Sequence, residues 1–114
     1  MKKNIIISGA SGGIGKEFIK FYCDDPNVEK VFALSRKMNN VNNSKIKSIK
    51  VDYFNEETFD NLDDILLLES ISTIIIASGI LHTDQIKPEK SIDGVDLVTL
   101  QKVFQVNVFG PTLL

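Results

Sequence analysis

Residues 8–15 read Ser-Gly-Ala-Ser-Gly-Gly-Ile-Gly, and their types and spacing suit them to binding a diphosphate. They follow a short apolar run and lead directly into a stretch of helical period. In such a loop Gly9 permits a tight turn, Gly13 lets the backbone approach a pyrophosphate, and Gly15 allows close packing of helix on sheet. The helix N-terminus adds unpaired N–H groups and positive dipole. The pattern therefore predicts a dinucleotide site in preference to a structural turn.

A nucleoside-triphosphate loop is the rival interpretation of the same residues. Residues 10–16 supply a small residue, four spacers and then Gly15-Lys16. That motif needs a Ser or Thr next, because its hydroxyl binds magnesium. The chain has Glu17 there, and its carboxylate would repel phosphate, so this interpretation is disfavoured.

The end of the second apolar run bears on which dinucleotide would bind. An Asp or Glu about 20 residues beyond the glycines would bind a ribose 2′-hydroxyl and select NAD. Ser35 and Arg36 stand in that region instead. A guanidinium pairs with a 2′-phosphate through charge-assisted hydrogen bonds, and a serine adds another. NADP is therefore predicted in preference to NAD, the alternative being that Arg36 and Lys37 begin a solvated loop.

Strand and helix patterns alternate along the chain and would position these residues. Four short runs predict strands, at residues 4–8, 31–34, 46–51 and 73–77. Helical spacing follows the glycine loop as far as Asp25, recurs after a cap at Asn55, and returns over residues 95–109. Right-handed crossovers place the first strand centrally, with the second and third on one side and the fourth on the other. The predicted fold class is α/β, a Rossmann-type doubly wound parallel sheet, incomplete, with about four strands and helices on both faces.

These motifs resemble the short-chain dehydrogenase/reductase family. The family loop has Thr-Gly, three spacers, Gly, one spacer and Gly, and the matching residues are Ser8, Gly9, Gly13 and Gly15. Asp52 follows the third strand, Gly79 follows the fourth, and Asn107 lies in the last helix, all in the family's order. Residues 79–82 and 88–91 look like the C-factor-like branch of this family.

The resemblance implies a reaction and a set of site residues. Family members transfer a hydride between a nicotinamide cofactor and a small-molecule carbonyl or alcohol. The implied cofactor residues are Ser8, Gly9, Ser11, Gly13, Ile14, Gly15, Ser35, Arg36, Asp52 and Gly79. Among them Asp52 would meet the adenine and Gly79 the ribose, while Asn107 would belong to the catalytic set.

The chain departs from the family pattern at the catalytic pair. The family uses a tyrosine as general acid/base and a lysine four residues later. At that distance Tyr22 is followed by Pro26, and Tyr53 by Glu57. The prediction is therefore one truncated NAD(P)-binding Rossmann domain over residues 1–114, the cofactor-binding half of an NADP-dependent oxidoreductase. The alternative is a non-catalytic dinucleotide-binding or C-factor-like signalling module.

A second departure concerns the residues before Gly79. Ala77 and Ser78 replace the family's Asn-Ala, so an amide that ties neighbouring strands together is missing. The apolar fourth strand, without further strands beside it, would present unpaired backbone groups, which predicts self-association.

Composition excludes several other functions. The 114 residues carry 13 basic and 15 acidic side chains, so the net charge of −2 argues against a nucleic-acid partner. One cysteine and one histidine (Cys23 and His82) make a metal site unexpected. No run approaches the roughly 20 apolar residues of a membrane span, nor the roughly 7–15 of a secretory signal, so a cytoplasmic protein is expected.

Overall fold

Four parallel strands form one sheet within the part of the chain that the computed structural model describes, residues 2–37, 43–63, 65, 69–79 and 94–114. The strands are β1 (Lys3–Ser8), β2 (Val28–Ser35), β3 (Ile46–Lys50) and β4 (Ile71–Ile76). Their order is β3-β2-β1-β4, with Ser8 of β1 level with Leu34 of β2 and Ile76 of β4. The predicted α/β class, strand order and edge position of β3 are confirmed.

The isoleucines of β1 contribute to the hydrophobic packing on both faces of the sheet. Ile5, Ile6 and Ile7 are each 2% exposed or less. Because successive side chains of a strand point to opposite faces, Ile6 packs with Phe32 on one face, and Ile5 and Ile7 pack with Val31 on the other. A strand buried on both faces requires this continuous apolar sequence.

Helix α1 (Gly13–Cys23) covers one face of the sheet. Its Phe18, Ile19 and Tyr22 pack against the cluster that contains Ile5 and Ile7. The helix ends before Asp25-Pro26, where the sequence predicts its end.

The opposite face carries the other helical segments of the described residues. They are a 3-10 helix (Glu56–Leu62), α2 (Leu97–Phe104), a π-helical turn (Gln105–Phe109) and α3 (Gly110–Leu113). Leu62 and Val106 of these segments pack in the hydrophobic cluster that contains Ile6. Helices therefore lie on both faces, as a doubly wound sheet requires.

The segment after Asn55 differs in detail from the expected α-helix. Asn55 is the N-cap, and its side chain accepts a hydrogen bond from the Glu57 N–H at 3.2 Å. The Thr58 N–H reaches the Asn55 carbonyl, and the Thr58 hydroxyl donates to the same oxygen at 2.7 Å. These bonds between residues three apart tighten the segment into a 3-10 helix.

The last helix begins two residues later than predicted and continues beyond Phe109. Asp96 caps it by accepting the Thr99 N–H at 2.9 Å, and this bond holds the pKa of the Asp96 carboxyl below its usual value. His82 and residues 80–82 and 88–91, on which the C-factor likeness depends, lie outside the described residues. None of the helices in the described segments combines the length and apolarity that crossing a bilayer demands.

Strand β4 ends the described sheet and pairs there with β1. Its sequence, Ile-Ser-Thr-Ile-Ile-Ile, carries no charge, and Ile74 and Ile76 are 49% and 46% exposed. Natural edge strands usually bear charges or prolines that prevent pairing with another chain. An uncharged, exposed edge strand is consistent with self-association, which stays a prediction.

We expect the chain to self-associate through β4, and the double substitution Ile74→Lys/Ile76→Lys to weaken that association. The lysines would place two charges on an exposed apolar edge, which disfavours pairing of two copies. Sedimentation velocity over a range of concentrations measures the effect. Phe21→Lys, at a 65% exposed position on α1, is the control and should associate like the parent chain. A parent chain that sediments as a monomer throughout would contradict the prediction.

Candidate functional site

A cavity of about 620 Å³ opens where the parallel strands end. Its walls come from the glycine turn after β1, the end of β2, the segments after β3 and β4, and one side of α2. Seven of the ten cofactor residues expected from the sequence line it, namely Ser8, Gly9, Ser11, Ser35, Arg36, Asp52 and Gly79. The cavity lies where α/β sheets bind ligands, outside the carboxyl ends of the strands at the point where the strand order reverses.

The turn after β1 is fixed by its neighbours on both sides. Gly9 has φ of +79°, and a Cβ there would lie 2.6 Å from the Ser78 nitrogen. The N–H groups of Gly9 and Ala10 both donate to the Leu34 carbonyl at 3.1 Å. A side chain at position 9 would therefore meet both unfavourable backbone torsions and the segment after β4.

Gly13 and Gly15 face different surroundings at the start of α1. A Cβ on Gly15 would overlap the Gly9 carbonyl oxygen and lie 2.8 Å from the carbonyl carbon. A Cβ on Gly13 would meet nothing within 4 Å. Gly15 thus allows the helix to sit on the turn, whereas Gly13 leaves open space beside the helix N-terminus. Ile14 is 68% exposed, so its expected contribution would come from the backbone.

Ser35 and Arg36 differ in what they can offer a ligand. The buried Ser35 hydroxyl donates its hydrogen to the Lys37 carbonyl within its own turn. The expected donation from Ser35 to a phosphate would have to break that bond. Arg36 is exposed and lines the cavity, so its guanidinium is the charged donor on this wall.

The Asp52 carboxylate is held in place at the cavity by its own turn. Its Oδ1 accepts the Phe54 N–H at 2.9 Å, and the Asp52 N–H donates to the Thr58 hydroxyl at 2.8 Å. A carboxylate oriented by backbone and side-chain bonds is a preorganised acceptor for an N–H group of a ligand.

Tyr53 is a cavity residue that sequence reasoning missed. It is 7% exposed, and its hydroxyl shares hydrogen bonds with the hydroxyls of Ser8 and Ser78, which are themselves 3.3 Å apart. This hydroxyl triad joins the ends of β1 and β4 to the segment after β3. These bonds hold the three segments together at the edge of the cavity. The signal available in the sequence was a hydroxyl residue at the end of three of the apolar runs or within two residues after it.

The π-helical turn also contacts Tyr53. The Gln105 side-chain amide donates to the Tyr53 carbonyl at 2.5 Å, and a Cβ on Gly110 would lie 2.6 Å from the Tyr53 Cβ. The Gly110 N–H bonds to the Gln105 carbonyl, which closes the π turn. Both ends of that turn therefore rest on one tyrosine.

Asn107 lies within the π turn, close to Gly79 but outside the described lining of the cavity. A Cβ on Gly79 would lie 3.3 Å from the Asn107 Oδ1. Lys102, on α2, is a second lining residue that the sequence did not single out. Among the described residues, no three His, Cys, Asp or Glu side chains are grouped as metal ligands.

Solved structures with a similar fold were found by comparison. A short-chain dehydrogenase family protein from Francisella tularensis matches with a TM-score of 0.80 and 24% identity, over 98% of this chain and 43% of its own. NADPH-bound carbonyl reductase from chicken fatty liver has a TM-score of 0.80 and 18% identity, over 98% of this chain and 45% of its own. The chain has the short-chain dehydrogenase fold.

A carbonyl reductase from Pseudomonas aeruginosa also has a similar structure, with a TM-score of 0.78 and 19% identity, over 96% of this chain and 52% of its own. The chain thus spans about half the length of these structures. Protein-family models give no match to it, and neither do curated proteins.

The two glycines of α1 give a matched stability test. We expect Gly15→Ala to lower the free energy of unfolding by about 1–3 kcal/mol, because the methyl group overpacks against Gly9. Gly13→Ala should change it by less than about 1 kcal/mol, since the methyl group enters open space in a helix. Urea denaturation of both variants checks this. Equal losses for the two variants would be inconsistent with the contact between helix and turn.

The hydroxyl triad makes a separate prediction. Tyr53→Phe should cost about 1–2 kcal/mol of unfolding free energy, because the buried Ser8 hydroxyl loses a partner. Thermal and urea unfolding measure the loss. Tyr22→Phe, which removes a hydroxyl from a tyrosine of α1 outside the described cavity lining, is the control and should be close to neutral. A neutral Tyr53→Phe variant would mean that the triad contributes nothing to stability.

Proposed function

We propose that the chain binds NADP(H) in the cavity at the carboxyl edge of the sheet. In this proposal it is the cofactor-binding part of a short-chain oxidoreductase. The observation that carries the proposal is that the turn residues Ser8, Gly9 and Ser11 line one cavity with Arg36 and Asp52. Its volume of about 620 Å³ falls within the roughly 300–1,000 Å³ of small-molecule sites.

Each part of the cofactor has a proposed contact among the described residues. The open space at Gly13 and the start of α1 would receive the diphosphate, with N–H groups and helix dipole opposite its charge. Asp52 would accept from the adenine amino group, and Gly79 would lie against a ribose. Ile14 would contribute its backbone to the site, and Gly15 would allow α1 to pack closely on the turn.

Arg36 supports NADP over NAD. Its exposed guanidinium lines the cavity at the end of β2, where NAD-binding proteins of this fold place an acidic residue. A 2′-phosphate at this position would gain a bidentate, charge-assisted pair.

The bound cofactor would supply or accept the hydride of a carbonyl/alcohol exchange. The residues of this chain would bind and orient it, and Asn107 beside Gly79 would face the reacting end. No tyrosine here is followed four residues later by lysine, so the acid/base pair would have to come from outside these 114 residues. We further propose one domain over residues 1–114 and a cytoplasmic location, on the sequence arguments given above.

We propose as a second candidate a dinucleotide-binding module without turnover, including a C-factor-like signalling role. Both candidates bind NADP(H), and turnover separates them. Oxidation of NADPH by small aldehydes and ketones, measured on the full chain as it exists in its source, would support the oxidoreductase. Binding without oxidation would support the module.

Cofactor choice is tested at Arg36. We expect the chain to bind NADPH more tightly than NADH, and Arg36→Gln to weaken NADPH binding about tenfold while leaving NADH unchanged, because the charged pair is lost. Isothermal titration calorimetry measures both affinities. Lys37→Gln, at the adjacent exposed position, is the control. Equal affinity of the parent chain for NADH and NADPH would refute the assignment of Arg36.

A further inference from the structure

Two neighbouring residues after β3 and one residue of α2 line two cavities at once and form a wall that both cavities share. Tyr53, Phe54 and Lys102 line the cavity described above, and the same three residues line a second cavity of about 350 Å³. This shared wall adjoins Asp52, and it was assigned no role by the sequence motifs.

Phe54 is presented from a rigid base. Tyr53 before it is buried, bonded through its hydroxyl to two serines and through its carbonyl to Gln105. The Phe54 N–H is itself bonded to Asp52. The Phe54 side chain is nevertheless 49% exposed, so a large apolar ring remains at the cavity on a backbone that is tied down.

The chemistry of the wall suits a planar heteroaromatic base. An aromatic side chain provides a flat face for stacking, and burial of its exposed half adds apolar stabilisation. Asp52 offers an acceptor beside it, and Lys102 on α2 offers N–H donors. Adenine presents the complementary set, an amino group that donates and ring nitrogens that accept.

We propose that Phe54 and Lys102 are binding residues for the base of the nucleotide, Phe54 as the stacking surface and Lys102 as a donor to a ring nitrogen. This assignment rests on the proposed function and adds two residues to it. It makes the wall, and not the carboxylate alone, the feature that recognises the base of the nucleotide.

Ligands with and without a base test the assignment. Calorimetric titrations would use NADP⁺, AMP and inorganic pyrophosphate against the full chain. We expect Phe54→Ala to weaken NADP⁺ and AMP roughly tenfold and to leave pyrophosphate unchanged, since only the base stacks. Phe54→Leu should fall between, because it keeps apolar area and loses the flat ring. Lys102→Met should weaken AMP several-fold and spare pyrophosphate.

Phe21→Ala and Lys47→Met, exposed positions on α1 and β3, are the controls and should alter no affinity. A Phe54→Ala variant that binds NADP⁺ as tightly as the parent overturns the stacking role. If Phe54→Ala weakens pyrophosphate equally, the loss reflects distortion of the site and the role is again overturned. If Lys102→Met weakens pyrophosphate as much as AMP, Lys102 is a phosphate ligand and its assignment fails. A parent chain that binds none of the three ligands overturns the proposed function, and this inference falls with it.

Discussion

The contact between Gly15 and the carbonyl of Gly9 sets the position of α1 relative to the turn that lines the cavity. Because no side chain separates them, α1 rests directly on the turn that leaves β1. The turn in turn bonds to Leu34 of β2 and abuts the backbone at Ser78. One close approach therefore fixes the helix N-terminus relative to three strand ends. A side chain at position 15 would push α1 away from the turn, and a side chain at position 9 would push against the segment after β4.

Hydrogen bonds between polar side chains also fix the arrangement of the strand ends. Hydrophobic packing of Ile5, Ile6 and Ile7 holds the strands side by side, but it does not specify how their ends are arranged around the cavity. The hydroxyl triad of Ser8, Tyr53 and Ser78 supplies directional bonds at that point. Buried hydroxyl groups that satisfy one another cost little and restrict the geometry strongly.

The fold followed from the sequence because its signals are local and repeated. The apolar run of β1, the glycine spacing and the Asn55 cap each act over a few residues, and crossover handedness then limits the strand order. The positions of Tyr53, Phe54 and Lys102 at one cavity do not follow from the sequence, because they depend on how distant segments meet. Nothing in the neighbours of Tyr53 indicates a partner at Ser8. The engagement of Ser35 with its own turn was equally invisible, because a side chain's hydrogen-bond partner depends on the local path of the backbone.

The π-helical turn contacts Tyr53 at both of its ends. Gln105 and Gly110 are the first and last hydrogen-bonded residues of the turn. The Gln105 side chain donates to the Tyr53 carbonyl, and Gly110 packs closely against the Tyr53 ring. An ordinary α-helical turn would not place residues five apart on the same side. A displacement of Tyr53 would therefore also displace the π turn, which contains Asn107 and directly follows the helix that carries Lys102.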